Sequence, residues 1–110
     1  MSDSLEREHY RIQYPPAARP RILIEDRSFD VIDLSERGIR FRVEEGVTFP
    51  VGREVSGAIR FRRNEPVEVM GSVVRVAALE VAVKLDVGVP LRTIIEEQRF
   101  LREHHRGTAR

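Results

Sequence analysis

Phe29-Asp30-Val31-Ile32-Asp33-Leu34-Ser35-Glu36-Arg37-Gly38-Ile39-Arg40-Phe41-Arg42-Val43 reads as two strands joined by a polar turn. Phe29 and Val31 lead the first strand into Asp33. Ile39, Phe41 and Val43 then alternate strictly with Arg40 and Arg42, the pattern of a half-buried strand with a charged outer face. Between the two runs, Asp33 and Ser35 can each bond nearby backbone N–H groups and fix a turn. Gly38 can take a positive φ that other residues resist. As structure alone, this is a hairpin corner.

The same alternation extends outward on both sides. Upstream, Ile22 and Ile24 alternate with Arg21, Leu23 and Glu25 behind Pro20, which suits a strand start or an edge. Asp26-Arg27-Ser28 reads as a turn. Downstream, Glu44-Glu45-Gly46 ends the charged strand, and residues 47–53 form a connection with a turn at Pro50. Val55, Gly57, Ile59 and Phe61 mark a further strand, with Ser56, Ala58, Arg60 and Arg62 facing outward, and Arg63-Asn64-Glu65-Pro66 follows as a turn. Val67 to Val76 is a longer run broken by Gly71, the mark of a bulge or bend where a sheet curls. Leu79, Val81, Val83, Leu85 and Val87 alternate with Glu80, Ala82, Lys84 and Asp86 as the last strand. Short strands between polar turns predict a mainly β fold, a six-stranded antiparallel barrel over residues 17–88.

The two ends differ from this pattern. Leu91, Ile94, Ile95 and Leu101 fall at helical spacing, with Glu96, Glu97, Arg99, Arg102 and Glu103 on the remaining face, so a helix is expected over residues 89–106. Pro90 fits its first position, Thr93-Ile94-Ile95-Glu96 a capping box slightly later, and Gly107 its end. The apolar stripe either covers an open end of the barrel or forms a dimer seam, so a monomer and a weak homodimer both fit. Residues 1–16 are polar, with Leu5, Tyr10, Ile12 and Tyr14 too sparse for a core element, and Pro15-Pro16 makes a stiff hinge. A flexible N-terminal arm is expected there, and one domain overall.

Composition narrows the function. The chain has 110 residues, 41% of them hydrophobic, and no Cys, which excludes thiol catalysis, thiolate metal sites and disulfides and suits a reducing compartment. No apolar run approaches a membrane span, and Met1-Ser2-Asp3-Ser4-Leu5-Glu6-Arg7 lacks the apolar core of a signal peptide, so a cytoplasmic protein without membrane insertion is expected. A net charge of +1 argues against a nucleic-acid binder. The histidines are His9, His104 and His105, and the carboxylate pairs Glu44-Glu45 and Glu96-Glu97 belong to a turn and a helix surface. No convergent acid–base set or metal cluster emerges, so neither a catalytic nor a metal site is expected, and no cofactor.

Among nineteen basic residues only Lys84 is not Arg. Arg offers a planar fork that grips phosphate or a guanine edge and stacks on rings. Arg7-Glu8-His9-Tyr10-Arg11 sets two such forks on the arm, and Asp33 is a carboxylate suited to the N1 and N2 hydrogens of a guanine. Each alone has an ordinary structural reading, a solvated arm and a hairpin corner. Together they give a guanine both of its edges.

With Arg7-x-x-x-Arg11 followed by Asp33-x-Ser35-x-x-Gly38 and Ile39-Arg40-Phe41, the chain resembles the PilZ domains, receptors for the bacterial second messenger cyclic di-GMP. The order of arm, barrel and C-terminal helix is similar too. The resemblance implies that Arg7 and Arg11 grip guanine and phosphate, that Asp33 and Ser35 hold a guanine from the other side, and that Gly38 shapes the turn. Gly71-Ser72-Val73-Val74-Arg75 matches a later strand in which members carry a residue stacked on the ligand, which makes Arg75 a further candidate. Glu6 stands where members that take an intercalated ligand dimer carry an Arg, and this implies one ligand per domain. A domain of this kind is expected to signal to a downstream effector protein by ordering its arm, in motility, adhesion or exopolysaccharide production. The alternative is a protein-interaction module of the same fold acting without nucleotide.

Overall fold

Six antiparallel strands close on themselves in the computed structural model, which describes residues 11–104. They are β2 (Arg21–Ile24), β3 (Arg27–Ser35), β4 (Gly38–Arg42), β5 (Glu54–Arg60), β6 (Val67–Ala77) and β7 (Glu80–Val87). The order round the barrel is β3-β2-β5-β6-β7-β4, and β4 returns to β3. A two-residue strand, β1 (Ile12–Gln13), pairs with the second half of β3 at Leu34 and Asp33, beyond the half that β2 occupies. A 3-10 turn (Pro16–Ala18) links β1 to β2, and the helix α1 (Leu91–His104) follows β7. Among the described residues no helix is long and apolar enough to cross a membrane.

The alternating apolar positions line the interior as their period requires. Ile22, Val31, Leu34, Phe41, Ile59 and Val81 are fully buried. Phe49, from the β4–β5 connection, closes a cluster with Phe29 and Phe41 at centroid separations of 5.3 to 5.6 Å. Its two edge-on contacts are the arrangement ring quadrupoles favour.

Local details depart from expectation for identifiable reasons. Ile24 pairs with Arg27, so the first turn is Glu25-Asp26, with Glu25 at φ 59, rather than 26–28. Ser35 pairs with Gly38, so Glu36-Arg37 is the second turn and Asp33 lies inside β3. Ile12 and Tyr14 are buried core residues, not part of a sparse polar arm. The helix begins at Leu91, where the Thr93 and Ile94 N–H groups donate to the Pro90 carbonyl, which leaves Thr93 in the first turn instead of capping it. α1 lies against β1 and drives Ile94 into the barrel core, with Leu101 packed beside it.

Glu97 was expected on the solvent face of α1 and is buried instead. It accepts hydrogen bonds from the Tyr14 hydroxyl at 2.6 Å and from Asn64 Nδ2 at 2.8 Å. Burial and the neighbouring carboxylate push the Tyr14 hydroxyl far above its ordinary pKa, so Tyr14 stays a donor. The expected helix end at Gly107 lies outside the described residues.

Gly71 leaves no room for a side chain between β6 and β7. A Cβ there would sit 2.0 Å from the Lys84 carbonyl oxygen, a backbone atom that cannot swing aside. Gly71→Ala is therefore expected to lower stability by roughly 2–3 kcal/mol, the upper part of the overpacking range, read from the urea midpoint at unchanged slope. An unshifted midpoint would mean that the two strands separate there at no cost.

Candidate functional site

Two strand irregularities bring the charged side chains together. In β3 the register jumps between Val31, opposite Phe41, and Asp33, opposite Arg40, so Ile32 is an extra residue. Phe29 and Val31 point inward, and an unbroken strand would turn Asp33 inward as well. The bulge reverses the alternation: Leu34 enters the core and Asp33 joins Arg40 on the other face of the sheet, where it is covered. In β6 the register jumps between Val73, opposite Val83, and Arg75, opposite Ala82, and Val74 is the extra residue. Arg75 is thereby turned outward. Because Ala82 also pairs with Arg40, the register lays Asp33, Arg40, Ala82 and Arg75 in one row across β3, β4, β7 and β6.

The short Ala82 side chain leaves a groove between the two arginines. It is an open cleft of about 500 Å³ with Arg11, Arg37, Arg40, Arg75 and Lys84 on its walls and only Asp33 and Glu80 as counter-charges. Both carboxylates are engaged by Arg40. Its Nε donates to Asp33 Oδ2 at 3.0 Å, its Nη2 donates to the same oxygen, and its Nη1 donates to Glu80 Oε1 at 3.0 Å. The hydrogen bond to Asp33 is the main cause that holds the Arg40 pKa above its ordinary value.

The walls of the groove are tied to the rest of the fold. The Glu36-Arg37 turn is pinned from behind: the Val89 N–H donates to the Glu36 carbonyl and the Leu85 N–H to the Arg37 carbonyl. Gly88 fits against that turn because a Cβ would meet the Glu36 oxygen at 1.8 Å. On the opposite wall, the carbonyl of the bulge residue Ile32 accepts the Tyr14 N–H, so the irregularity that sets Asp33 beside Arg40 also docks the chain leading to Arg11.

Of the residues singled out in the sequence, Arg11, Asp33, Gly38 and Arg75 line this one groove. Ser35 is at its edge, paired with Gly38, and the β1–β3 register extended by one residue sets Arg11 opposite it. Arg7 lies outside the described residues. Asp33 is not the outward acceptor of an open turn: it is 6% exposed beneath Arg40. Gly38 does not adopt a positive φ, and a Cβ on it would have ordinary contacts, 3.4 Å to Ser35 Oγ at the nearest. The turn therefore does not require a glycine at this position.

Arg37, Arg40 and Lys84 were missed as parts of the site. The available signal was the outward parity of Arg40 and Lys84 on neighbouring strands, which becomes informative once β4 and β7 are paired. Among the described residues no group of three or more His, Asp or Glu could hold a metal ion.

Comparison with known proteins agrees with this architecture. No curated protein matches the chain. A crystal structure of an uncharacterized protein from Legionella shares the fold, with a TM-score of 0.59 and 10% sequence identity over 87% of this chain and 97% of that one. The family model of the PilZ domain matches residues 5–103, nearly the whole chain, including the barrel and all but the last residue of α1. The chain belongs to the PilZ domain family.

Proposed function

We propose that the chain binds cyclic di-GMP in the groove between β3, β4, β6 and β7 and conveys its presence to a partner protein. PilZ domains as a family are cyclic di-GMP-binding modules. The observation that carries the reading to this chain is the convergence of Arg11, Asp33, Gly38 and Arg75, from three separate stretches of sequence, on one cleft with five cations. A cyclic dinucleotide presents two phosphates and two guanines. Guanidinium groups suit both, as bidentate donors to phosphate or to a guanine O6/N7 edge and as flat surfaces for stacking.

The reading assigns Arg11, with Arg7 ahead of it, to phosphate and a guanine edge. It assigns Asp33 Oδ1 and Ser35 to the guanine N1 and N2 hydrogens, with Oδ2 held by Arg40 so that the carboxylate is oriented before the ligand arrives. The reading assigns Arg75, which lines the same cleft, to stacking. Gly38 lets the ligand approach the backbone of β4. Ordering of the arm on the ligand is the signal to the effector.

Calorimetric titration of the purified protein tests this, with GTP and cyclic AMP as controls. Micromolar affinity, about −8 kcal/mol, is expected for cyclic di-GMP alone. No heat beyond dilution at saturating ligand would leave the nucleotide-free interaction module as the reading. Arg11→Ala should weaken binding about 10- to 100-fold with the fold intact, the loss of one bidentate contact. Gly38→Ala separates groove from turn: it is expected to keep the thermal midpoint within about 2 °C while weakening binding at least several-fold. A large drop in midpoint with unchanged affinity would assign Gly38 to the fold instead.

A further inference from the structure

Residues from near the two ends of the described chain meet in a buried cluster that the ligand reading leaves unused. Glu97 of α1 is 4% exposed, and its two oxygens accept from Tyr14 and from Asn64. A carboxylate so placed is costly unless its oxygens are satisfied, which makes the three side chains a mutually dependent set. Tyr14 stands three residues after Arg11. Between them, β1 holds to β3 through only Ile12 and Gln13, a ladder too short to order a strand by itself. The segment is held by Ile12, buried in the core, and by Tyr14, whose N–H is tied to the Ile32 carbonyl and whose hydroxyl is tied to Glu97.

We propose that Tyr14, Glu97 and Asn64 form a latch by which α1 positions Arg11 over the groove, so that the helix sets the affinity for cyclic di-GMP and is in turn tightened by the ligand. This rests on the cyclic di-GMP reading. Glu97 is a positioning residue that acts through Tyr14 and β1 and touches no ligand. By linkage, whatever the latch contributes to ligand binding the ligand returns to the latch, so a partner that grips α1 and pulls Glu97 from Tyr14 lowers the affinity by the same factor. A second tie runs the same way, since the Glu36-Arg37 turn is bonded to Leu85 and Val89, just ahead of α1. Both walls of the groove are thus fastened to the approach or the body of one helix.

The test is a double-mutant cycle read by calorimetry, with circular dichroism to confirm the fold of each variant. Tyr14→Phe keeps the ring and removes the donor. It should weaken cyclic di-GMP binding about 5- to 10-fold, because only a fraction of molecules then hold Arg11 in place. On an Arg11→Ala background the same change should cost less than about 2-fold, whereas Lys84→Ala should remain additive there. Glu97→Gln retains an acceptor for Tyr14, and Asn64 can turn its amide to suit, so it should keep most of the affinity that Glu97→Leu loses. Hydrogen exchange should slow in α1 when ligand binds the wild-type protein, and slow less in Tyr14→Phe. Wild-type binding with an unaltered Tyr14→Phe affinity overturns the latch alone, as does a Tyr14→Phe effect that persists in full without Arg11. A wild-type protein that gives no heat overturns the ligand reading and the latch together.

Discussion

A sheet that closes into a barrel leaves its strands no freedom of register, and register decides which face every side chain takes. This barrel therefore has one economical way to turn a residue from the core to the surface, an extra residue in a strand. It uses that device at Ile32 and Val74, and the consequences are local and specific: Asp33 and Arg75 exchange an inward for an outward position and enter the row that contains Arg40. Without the two bulges a carboxylate and a guanidinium would point into a core of Val, Ile and Phe, where neither has a partner. The groove and the integrity of the interior are thus two results of the same pair of irregularities.

Within the groove, the Asp33–Arg40 pair is better understood as orientation than as stability. The Asp33 side chain is 8% exposed and that of Arg40 is 40% exposed, so one charge is withdrawn from water while its partner stays half in it. Ion pairs that reach solvent contribute little to folding, and those withdrawn from it often barely break even. Holding one carboxylate oxygen through two donors of a planar fork does, however, fix the plane of the other. Arg40 itself remains at the surface with its charge directed into the cleft. Lys in its place would supply the charge without the fork.

The strands were legible because each carries a clean two-residue period, and the helix because Leu91, Ile94, Ile95 and Leu101 change that period. Three things were not. A strand of two residues has no period to read, so Ile12 and Tyr14 looked like scattered apolar residues on a polar arm. The bulges at Ile32 and Val74 carry no glycine. Gly71 does mark an irregularity, yet the extra residue there belongs to β7. Glu97 obeys helical periodicity as a surface residue, and it is buried because of Tyr14 and Asn64, which are 83 and 33 positions away. Local pattern specifies an element, and partners from distant stretches decide which of its polar groups go inside. For the site, the same limit meant that Arg11, Asp33, Gly38 and Arg75 were recognisable from their motifs, whereas Arg40 and Lys84 became visible only through strand pairing.

The distribution of charge bears on what such a groove can hold. Over the whole chain nineteen basic residues are nearly balanced by eighteen acidic ones. A polymer such as nucleic acid is drawn by an extended positive surface, and each phosphate neutralised adds to its affinity. Here five cations and two carboxylates line one cleft, and both carboxylates are already engaged by one of those cations. A concave wall with low-dielectric barrel behind it concentrates that potential over a small volume. An anion compact enough to sit inside the cleft experiences the full field, whereas a long chain crossing it experiences that field over a few of its charges. On the cyclic di-GMP reading proposed above, that concentration of charge is what a compact dianion would meet on entering the cleft.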